Sequence, residues 1–185
     1  MKLVKTILIA KLKMNNKVHK SKRLAYFLRH SCLPDHNGWV STSVLIQEYN
    51  FVIQDLECIV FEDIKGRFEF SDDGLSVRAL YGHSIDVDLE LVPSSPPAIL
   101  YHGTAVKYIE RIINEGVKPR KRNYVHLSET TVMAQQVGAR HGAPIVLSID
   151  AKAMEEDGYK FYKAQRGVWL VDCVQSKYID VDSYE

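Results

Sequence analysis

The stretch Phe68-Glu69-Phe70-Ser71-Asp72-Asp73-Gly74-Leu75-Ser76-Val77-Arg78-Ala79 changes the period of the chain. Phe68 and Phe70 alternate with polar neighbours, Ser71-Asp72-Asp73-Gly74 turns the chain, and Leu75, Val77 and Ala79 alternate again. A period of two on both sides of a turn predicts a β-hairpin. It sets Arg78 on the face opposite Val77 and Ala79, so its guanidinium avoids the core. Upstream the period is helical. Leu24, Phe27 and Leu28 recur at helical spacing after Ser21, a suitable N-cap. Pro34 and the Asn37-Gly38 pair then turn the chain. Ser41 or Thr42 can cap a short helix through Leu45 and Ile46, and Leu56, Ile59 and Val60 support another before Gly66. Helices followed by a hairpin suggest a small winged-helix-like module.

Downstream, Pro93-Ser94-Ser95-Pro96-Pro97 suits neither helix nor central strand and marks a linker. Beyond it Ile99-Leu100-Tyr101 begins a strand. Val106, Ile109, Ile112 and Ile113 form an amphipathic helix stopped by Gly116. The loop Lys118-Pro119-Arg120-Lys121-Arg122 is basic. Ser128 reads as the N-cap of a helix carrying Val132, Met133 and Val137, and residues 144–149 and 167–171 read as buried strands. The fold class is therefore α+β. The expected organisation is a basic N-terminal extension (1–20), a winged-helix-like lobe (21–92), a Pro-rich linker (93–98) and a second lobe (99–185).

At 185 residues, 21.1 kDa, 46% hydrophobic and 25% charged, the chain has the composition of a globular protein, which excludes a disordered or fibrous one. No apolar run approaches the ~20 residues of a membrane span; Ile7-Leu8-Ile9-Ala10 is interrupted by Lys11 and Lys13. With no secretory pattern either, the expected setting is the cytoplasm, without membrane association. Cys32, Cys58 and Cys173 are odd in number and lack a C-x-x-C pair, which argues for reduced thiols. His30, Cys32 and His36 lie close together, but no fourth ligand stands nearby at structural-zinc spacing, so no metal is expected.

The net charge of +1 conceals an asymmetry. Residues 1–30 carry nine Lys or Arg and no Asp or Glu. The rest hold 24 − 9 = 15 basic and 23 acidic groups, a balance of −8. A basic arm on an acidic body suits an anionic partner such as nucleic acid, or equally a solvated tail. Met14 offers a second start position, which would make the first thirteen residues incidental.

No G-x-G-x-x-G follows a strand and no G-x-x-x-x-G-K-[ST] occurs, which speaks against Rossmann and P-loop chemistry. Instead, histidines cluster with arginines, aromatics and glycines at element ends: Arg29-His30, Tyr101-His102-Gly103-Thr104, His126-Leu127-Ser128 and Arg140-His141. Guanidiniums fork onto two phosphate oxygens and stay charged at any working pH. The pattern is compatible with a phosphate-handling site and with scattered surface histidines.

Nine motifs then occur in order: Leu28-Arg29-His30, Asn37-Gly38-Trp39-Val40, Phe70-Ser71-x-Asp73-Gly74, Val77-Arg78-Ala79, Gly82-His83-Ser84, Leu100-Tyr101-His102-Gly103-Thr104, Val125-His126-Leu127-Ser128, Val137-Gly138-x-Arg140-His141-Gly142 and Gly167-Val168-Trp169-Leu170. Together, from about Ser21 to Ile179, they resemble the RNA 2′-phosphotransferase family, NAD-dependent enzymes that remove a splice-junction 2′-phosphate from tRNA. The resemblance implies a winged-helix lobe for RNA, a C-terminal lobe of the ADP-ribosyltransferase fold, NAD as a consumed co-substrate and no metal. It implies a monomer whose partner is an RNA carrying a 2′-phosphate, tRNA in the family. In the implied reaction the 2′-phosphate attacks the anomeric carbon of the nicotinamide ribose and nicotinamide leaves. The ribose 2″-hydroxyl then attacks phosphorus, freeing the RNA 2′-hydroxyl and giving ADP-ribose 1″,2″-cyclic phosphate.

The resemblance also implies site residues. The family's Arg-His-Arg-Arg constellation falls on Arg29, His30, Arg78 and Arg140, the guanidiniums holding phosphate and His30 exchanging protons. His102, Gly103 and Thr104 match the NAD-holding strand, and His126 and Ser128 the second nucleotide-contacting strand. Val168 takes the third corner of the ADP-ribosyltransferase triad, and His83 and Ser84 fall where RNA or phosphate contacts are expected. The chain departs from the family pattern at Tyr124, where histidine is common, at Gln165-Arg166, where asparagine is usual, and at Leu80-Tyr81, where glutamine is usual.

Two other readings share these features. A non-catalytic RNA-binding module would need neither Arg140 nor His102. An ADP-ribosyltransferase that leaves ADP-ribose on a nucleic-acid or protein acceptor would share the fold, but would have no use for a second step at phosphorus.

Overall fold

A computed structural model describes residues 2–31 and 33–180, with side chains from residue 16 onward. Cys32 and the side chains of Lys2, Lys5, Lys11, Lys13 and Met14 lie outside the described residues. The chain forms two compact units, residues 1–89 and 90–185, with mixed helix and sheet throughout.

In the first unit, α1 (Lys2–His30), α2 (Thr42–Gln47) and α3 (Ile53–Phe61) accompany a small antiparallel sheet in the order β1-β3-β2 (Trp39–Ser41, Ser76–Ala79, Phe68–Phe70). The hairpin pairs Phe68 with Ala79, Glu69 with Arg78 and Phe70 with Val77, and β1 adds Trp39 opposite Arg78 on the other edge. Leu24 and Leu28 from α1 meet Leu45, Leu56, Phe68, Val77 and Ala79 in one core. Burying each such leucine stabilises the unit by about 1.5–3 kcal/mol. Val77 and Ala79 are fully buried and Arg78 is not, as the alternation requires.

The first helix differs from the sequence-based expectation. It does not start at Ser21 but runs through it from Lys2. Ser21 is buried within the helix, where its hydroxyl accepts a hydrogen bond from Arg67 Nη2 at 2.9 Å. A serine facing a guanidinium cannot be told from an N-cap by local pattern alone. The basic side chains pair outward here, Lys17 with Glu62 and Lys20 with Asp55.

The second unit is built on six strands in the order β7-β8-β5-β4-β6-β9: Tyr162–Lys163, Val168–Val171, Val125–Ser128, Ile99–Ala105, Pro144–Asp150 and Ile179–Asp180. β4 pairs with β6 over seven positions, whereas β4 and β5 share the single pair Tyr101↔Ser128. The centre of the sheet is therefore parted beyond that pair. Helices α4 (Ile109–Glu115), α5 (Thr131–Gly138) and α6 (Ala151–Glu156) complete the unit. Its core gathers Leu100, Leu127, Leu147, Ile149, Met154, Phe161 and Trp169.

Ser128 closes β5 instead of capping α5; the N-cap is Thr130, whose side chain accepts from the Met133 N–H. Glycine at 103 lets α5 lie directly on β4, because a Cβ there would stand 1.7 Å from the Ala134 carbonyl oxygen. At Gly138 a Cβ would stand 2.4 Å from the Thr104 carbonyl oxygen. Two glycines thus fix one helix against one strand. Among the described residues, no helix is long and apolar enough to cross a membrane.

Candidate active site

In the first unit, the last turn of α1 delivers Arg29 and His30, and the Gly82-His83-Ser84 segment holds them from the side. The Ser84 N–H donates to the Arg29 carbonyl at 3.0 Å, and Ser84 Oγ lies 2.8 Å from His30 Nδ1. Arg29 is buried, with its guanidinium carbon 5.1 Å from the Tyr81 ring centre and 5.9 Å from that of Phe68. Gly82, at φ +90, completes this berth: a Cβ there would stand 3.3 Å from Arg29 Nε and Cζ. A cation resting on aromatic faces is held without surrendering its charge.

Arg78 is fixed differently. Its Nε donates to Glu69 Oε1 at 2.6 Å, its Nη1 reaches the Asn37 carbonyl at 3.4 Å, and its guanidinium carbon sits 4.3 Å from the Trp39 ring centre. Strand register puts Glu69 and Trp39 on either side of it. His83 joins the groups. It is 2% exposed, and burial, followed by the charges of Arg29, His30 and Arg78, depresses its pKa to about 4. Its ring is therefore neutral at physiological pH and adds no positive charge of its own to the two guanidiniums. Arg29, His30, Arg78, His83 and Ser84 are thus brought together, leaving His30 and Ser84 exposed and His83 enclosed.

In the second unit, His102, Gly103 and Thr104 follow the single β4–β5 pair, and His126 and Ser128 stand on β5. His102 Nδ1 lies 3.2 Å from the His126 carbonyl across the parted strands, and His126 Nδ1 lies 3.1 Å from the Tyr124 carbonyl. Each ring thus has one nitrogen engaged with backbone. Burial lowers the His102 pKa, the His126 carbonyl opposes this, and the charge of His141 adds to it. Val168 is paired opposite Ser128. Gly103 serves the packing of α5 on β4. Arg140 is exposed in the turn that ends α5, where its N–H donates to the Val137 carbonyl at 3.2 Å.

Sequence reasoning did not single out Trp39, Glu69, Tyr81 and Glu129 as supports. Glu69 was in principle readable, since the hairpin register places it across from Arg78. Glu129 Oε1 accepts from Trp169 Nε1 at 2.9 Å and lies 3.4 Å from Lys163 Nζ. Its N–H donates to the Gly167 carbonyl at 2.9 Å, which ties the turn before Val168 to the end of β5. Arg166 takes φ +57 in that turn, a left-handed conformation that asparagine adopts more readily than arginine. Among the described residues, no three His, Cys, Asp or Glu side chains gather as a metal-holding group.

Residues 15–173 match the family model described as RNA 2′-phosphotransferase, Tpt1 / KptA family. The chain belongs to this family. A protein of Acaryochloris marina named "Probable RNA 2′-phosphotransferase" is 44% identical over 169 residues, covering 85% of this chain and 93% of that protein. Proteins of the same name from Fusobacterium nucleatum and Hahella chejuensis are 44% and 43% identical. They cover 90% and 88% of this chain, and 99% and 92% of their own lengths. A member of the RNA 2′-phosphotransferase family is a transferase.

Proposed function

We propose that this RNA 2′-phosphotransferase family member removes a 2′-phosphate from RNA by transferring it to NAD. The products are RNA with a free 2′-hydroxyl, nicotinamide and ADP-ribose 1″,2″-cyclic phosphate. The observation that carries the reading is the cluster of Arg29, His30 and Arg78 around a buried, neutral His83. Two fixed guanidiniums beside an exposed imidazole can hold a phosphate dianion, stabilise charge developing at phosphorus and exchange a proton there. An RNA-binding module has no need of that proton-exchanging group. We read the first unit as a winged-helix-like RNA lobe and the second as an ADP-ribosyltransferase-like NAD lobe.

The donor set of the second unit suits NAD. His102, Thr104, His126 and Ser128 are hydroxyls and imidazoles along two strands that separate after one pair, a set matched to ribose hydroxyls and a carboxamide. NAD supplies an activated anomeric carbon with nicotinamide as leaving group. In this reading His102 and His126 orient the nucleotide from rings whose Nδ1 atoms are already engaged. Val168 provides an apolar wall, and Arg140 contributes a third guanidinium to the transferring phosphate. His30 takes the proton of the attacking ribose hydroxyl and returns one to the departing RNA 2′-oxygen.

The test is nicotinamide release. Incubation with NAD should release nicotinamide in the presence of an RNA oligonucleotide bearing one 2′-phosphate, and not with the same oligonucleotide bearing a 2′-hydroxyl. Equal release with both would remove the 2′-phosphate from the reaction. An internal, tRNA-like position of the phosphate is the family's usage, and the protein is taken to act as a monomer.

A further inference from the structure

Outside the groups given roles above, the second unit carries a concentration of positive charge. Lys118, Arg120, Lys121 and Arg122 stand in five consecutive residues, and no Asp or Glu occurs between Glu115 and Glu129. This segment is set in a chain whose residues beyond 30 are acidic by eight charges. Lys118, Arg120 and Lys121 are exposed. The loop is joined by Lys107, also exposed: its Nζ lies 5.0 Å from the Tyr108 ring centre, and the Arg120 guanidinium carbon lies 5.4 Å from the same centre. One aromatic ring thus gathers cations from two segments. None of the ion pairs formed among the described residues uses Lys107, Lys118, Arg120 or Lys121. The Lys107 stem runs beside the turn after Arg140, since a Cβ on Gly142 would lie 4.0 Å from Lys107 Cε.

We propose that Lys107, Lys118, Arg120 and Lys121 form a docking surface for the phosphodiester backbone of RNA. This rests on the reading of the protein as an RNA 2′-phosphotransferase acting on RNA. Like charges crowd at a cost unless an anion joins them, and spread lysines and arginines match a repeating phosphate chain. Tyr108 holds two cations, so the surface offers charge with an aromatic anchor beneath it. The surface therefore engages phosphates and is largely indifferent to base identity. Four cations from two segments exceed what a single pyrophosphate needs.

The test compares the wild-type chain with K118Q/R120Q/K121Q and with a control, K152Q/K160Q, that neutralises exposed lysines elsewhere in the second unit. Affinity for a single-stranded RNA 12-mer is measured by filter binding across a salt series, which needs no catalysis. Each phosphate that is no longer engaged should reduce the slope of log affinity against log salt by about 0.7 for a single strand, so the triple variant should lose about 2. Its affinity at low salt should fall by about tenfold, with the KM for NAD and turnover of a 2′-phosphorylated dinucleotide unchanged. An unchanged slope overturns the proposal. So does a raised KM for NAD with intact RNA binding, which would give the cations to the pyrophosphate. An equal slope reduction per charge in the control would reduce the effect to bulk charge and overturn it too. Failure of the wild-type chain to turn over the dinucleotide with NAD would instead strike the functional reading, leaving the binding result interpretable.

Discussion

Ser84 Oγ lies 2.8 Å from His30 Nδ1, while the Ser84 N–H donates to the carbonyl of Arg29 at 3.0 Å. One residue therefore fixes both the backbone that ends α1 and the ring that projects from it. With Nδ1 engaged by Ser84, the proton exchange proposed for His30 would fall to Nε2, the division of labour that a proton-exchanging imidazole requires. Ser84 is in this account a positioning residue for His30.

Ser84→Ala should lower turnover about fivefold, the loss of one hydrogen bond of about 1 kcal/mol. The melting temperature should stay unchanged, because Ser84 is exposed and its backbone bond survives. The acidic limb of the pH–rate profile should shift as the ring loses its partner. Ser84→Thr keeps the hydroxyl and should recover most of the activity. A profile of unchanged shape would mean that Ser84 does not act through His30.

His30→Ala should separate the two steps. Departure of nicotinamide leaves a centre that a bound phosphate can meet with little help, whereas the later displacement at phosphorus needs one proton removed and another delivered. RNA joined to ADP-ribose through its 2′-phosphate should then accumulate as a slower band on a denaturing gel. Untouched substrate at all times would place His30 in binding or in the first step.

Arg140→Ala should cost about a hundredfold in single-turnover rate, close to 3 kcal/mol of transition-state stabilisation, with NAD affinity changed far less. Arg140 is exposed at the end of a helix, so the fold should tolerate the change. Stopped-flow turnover and equilibrium NAD titration separate the two quantities. A full-rate mutant would remove Arg140 from the chemistry.

The hairpin and the outward face of Arg78 were legible because alternation at a period of two is a strong local signal; Glu69, which the register sets across from Arg78, could have been read from the same pattern but was not singled out. The helical face of Leu24 and Leu28 was equally plain. The start of α1 was not: Ser21 has the chemistry of an N-cap, and only its burial against Arg67, far away in sequence, makes it an internal residue. Ser128 misled for a related reason, since Thr130 two residues later caps α5 and frees Ser128 to end a strand. The Gly103 contact with Ala134 could not be read from the chain, because a close approach of helix to strand leaves no local pattern. The motif residues of the first unit were found from their order, but the berth of Arg29 on Tyr81 and Phe68, with Gly82 beside it, depends on side chains converging from separate elements.

Acid should weaken the first unit through Asp63. Burial raises the tendency of this carboxyl to stay protonated, but the Arg67 side chain and backbone N–H outweigh it and hold the pKa below the ordinary 3.8. A carboxylate depressed in the folded state stabilises the fold above its unfolded pKa, and that contribution is lost as pH falls from about 3.8 through the folded value. Asp63→Asn should cost about 3 kcal/mol at neutral pH by leaving Arg67 half-buried without its partner. It should also flatten the decline of stability below pH ~4. Denaturant unfolding across a pH series measures both, and a mutant with the wild-type acid slope would contradict the assignment.

The central claim is that phosphorus leaves the RNA and arrives on ADP-ribose. It is tested most directly with an oligonucleotide whose 2′-phosphate carries a phosphorus label, incubated with NAD and the wild-type chain, followed by identification of every labelled product. The account predicts that the label ends in ADP-ribose 1″,2″-cyclic phosphate, with the RNA recovered unlabelled and bearing a 2′-hydroxyl. Label retained on an RNA enlarged by ADP-ribose at the end of the reaction, or released as inorganic phosphate, would contradict it.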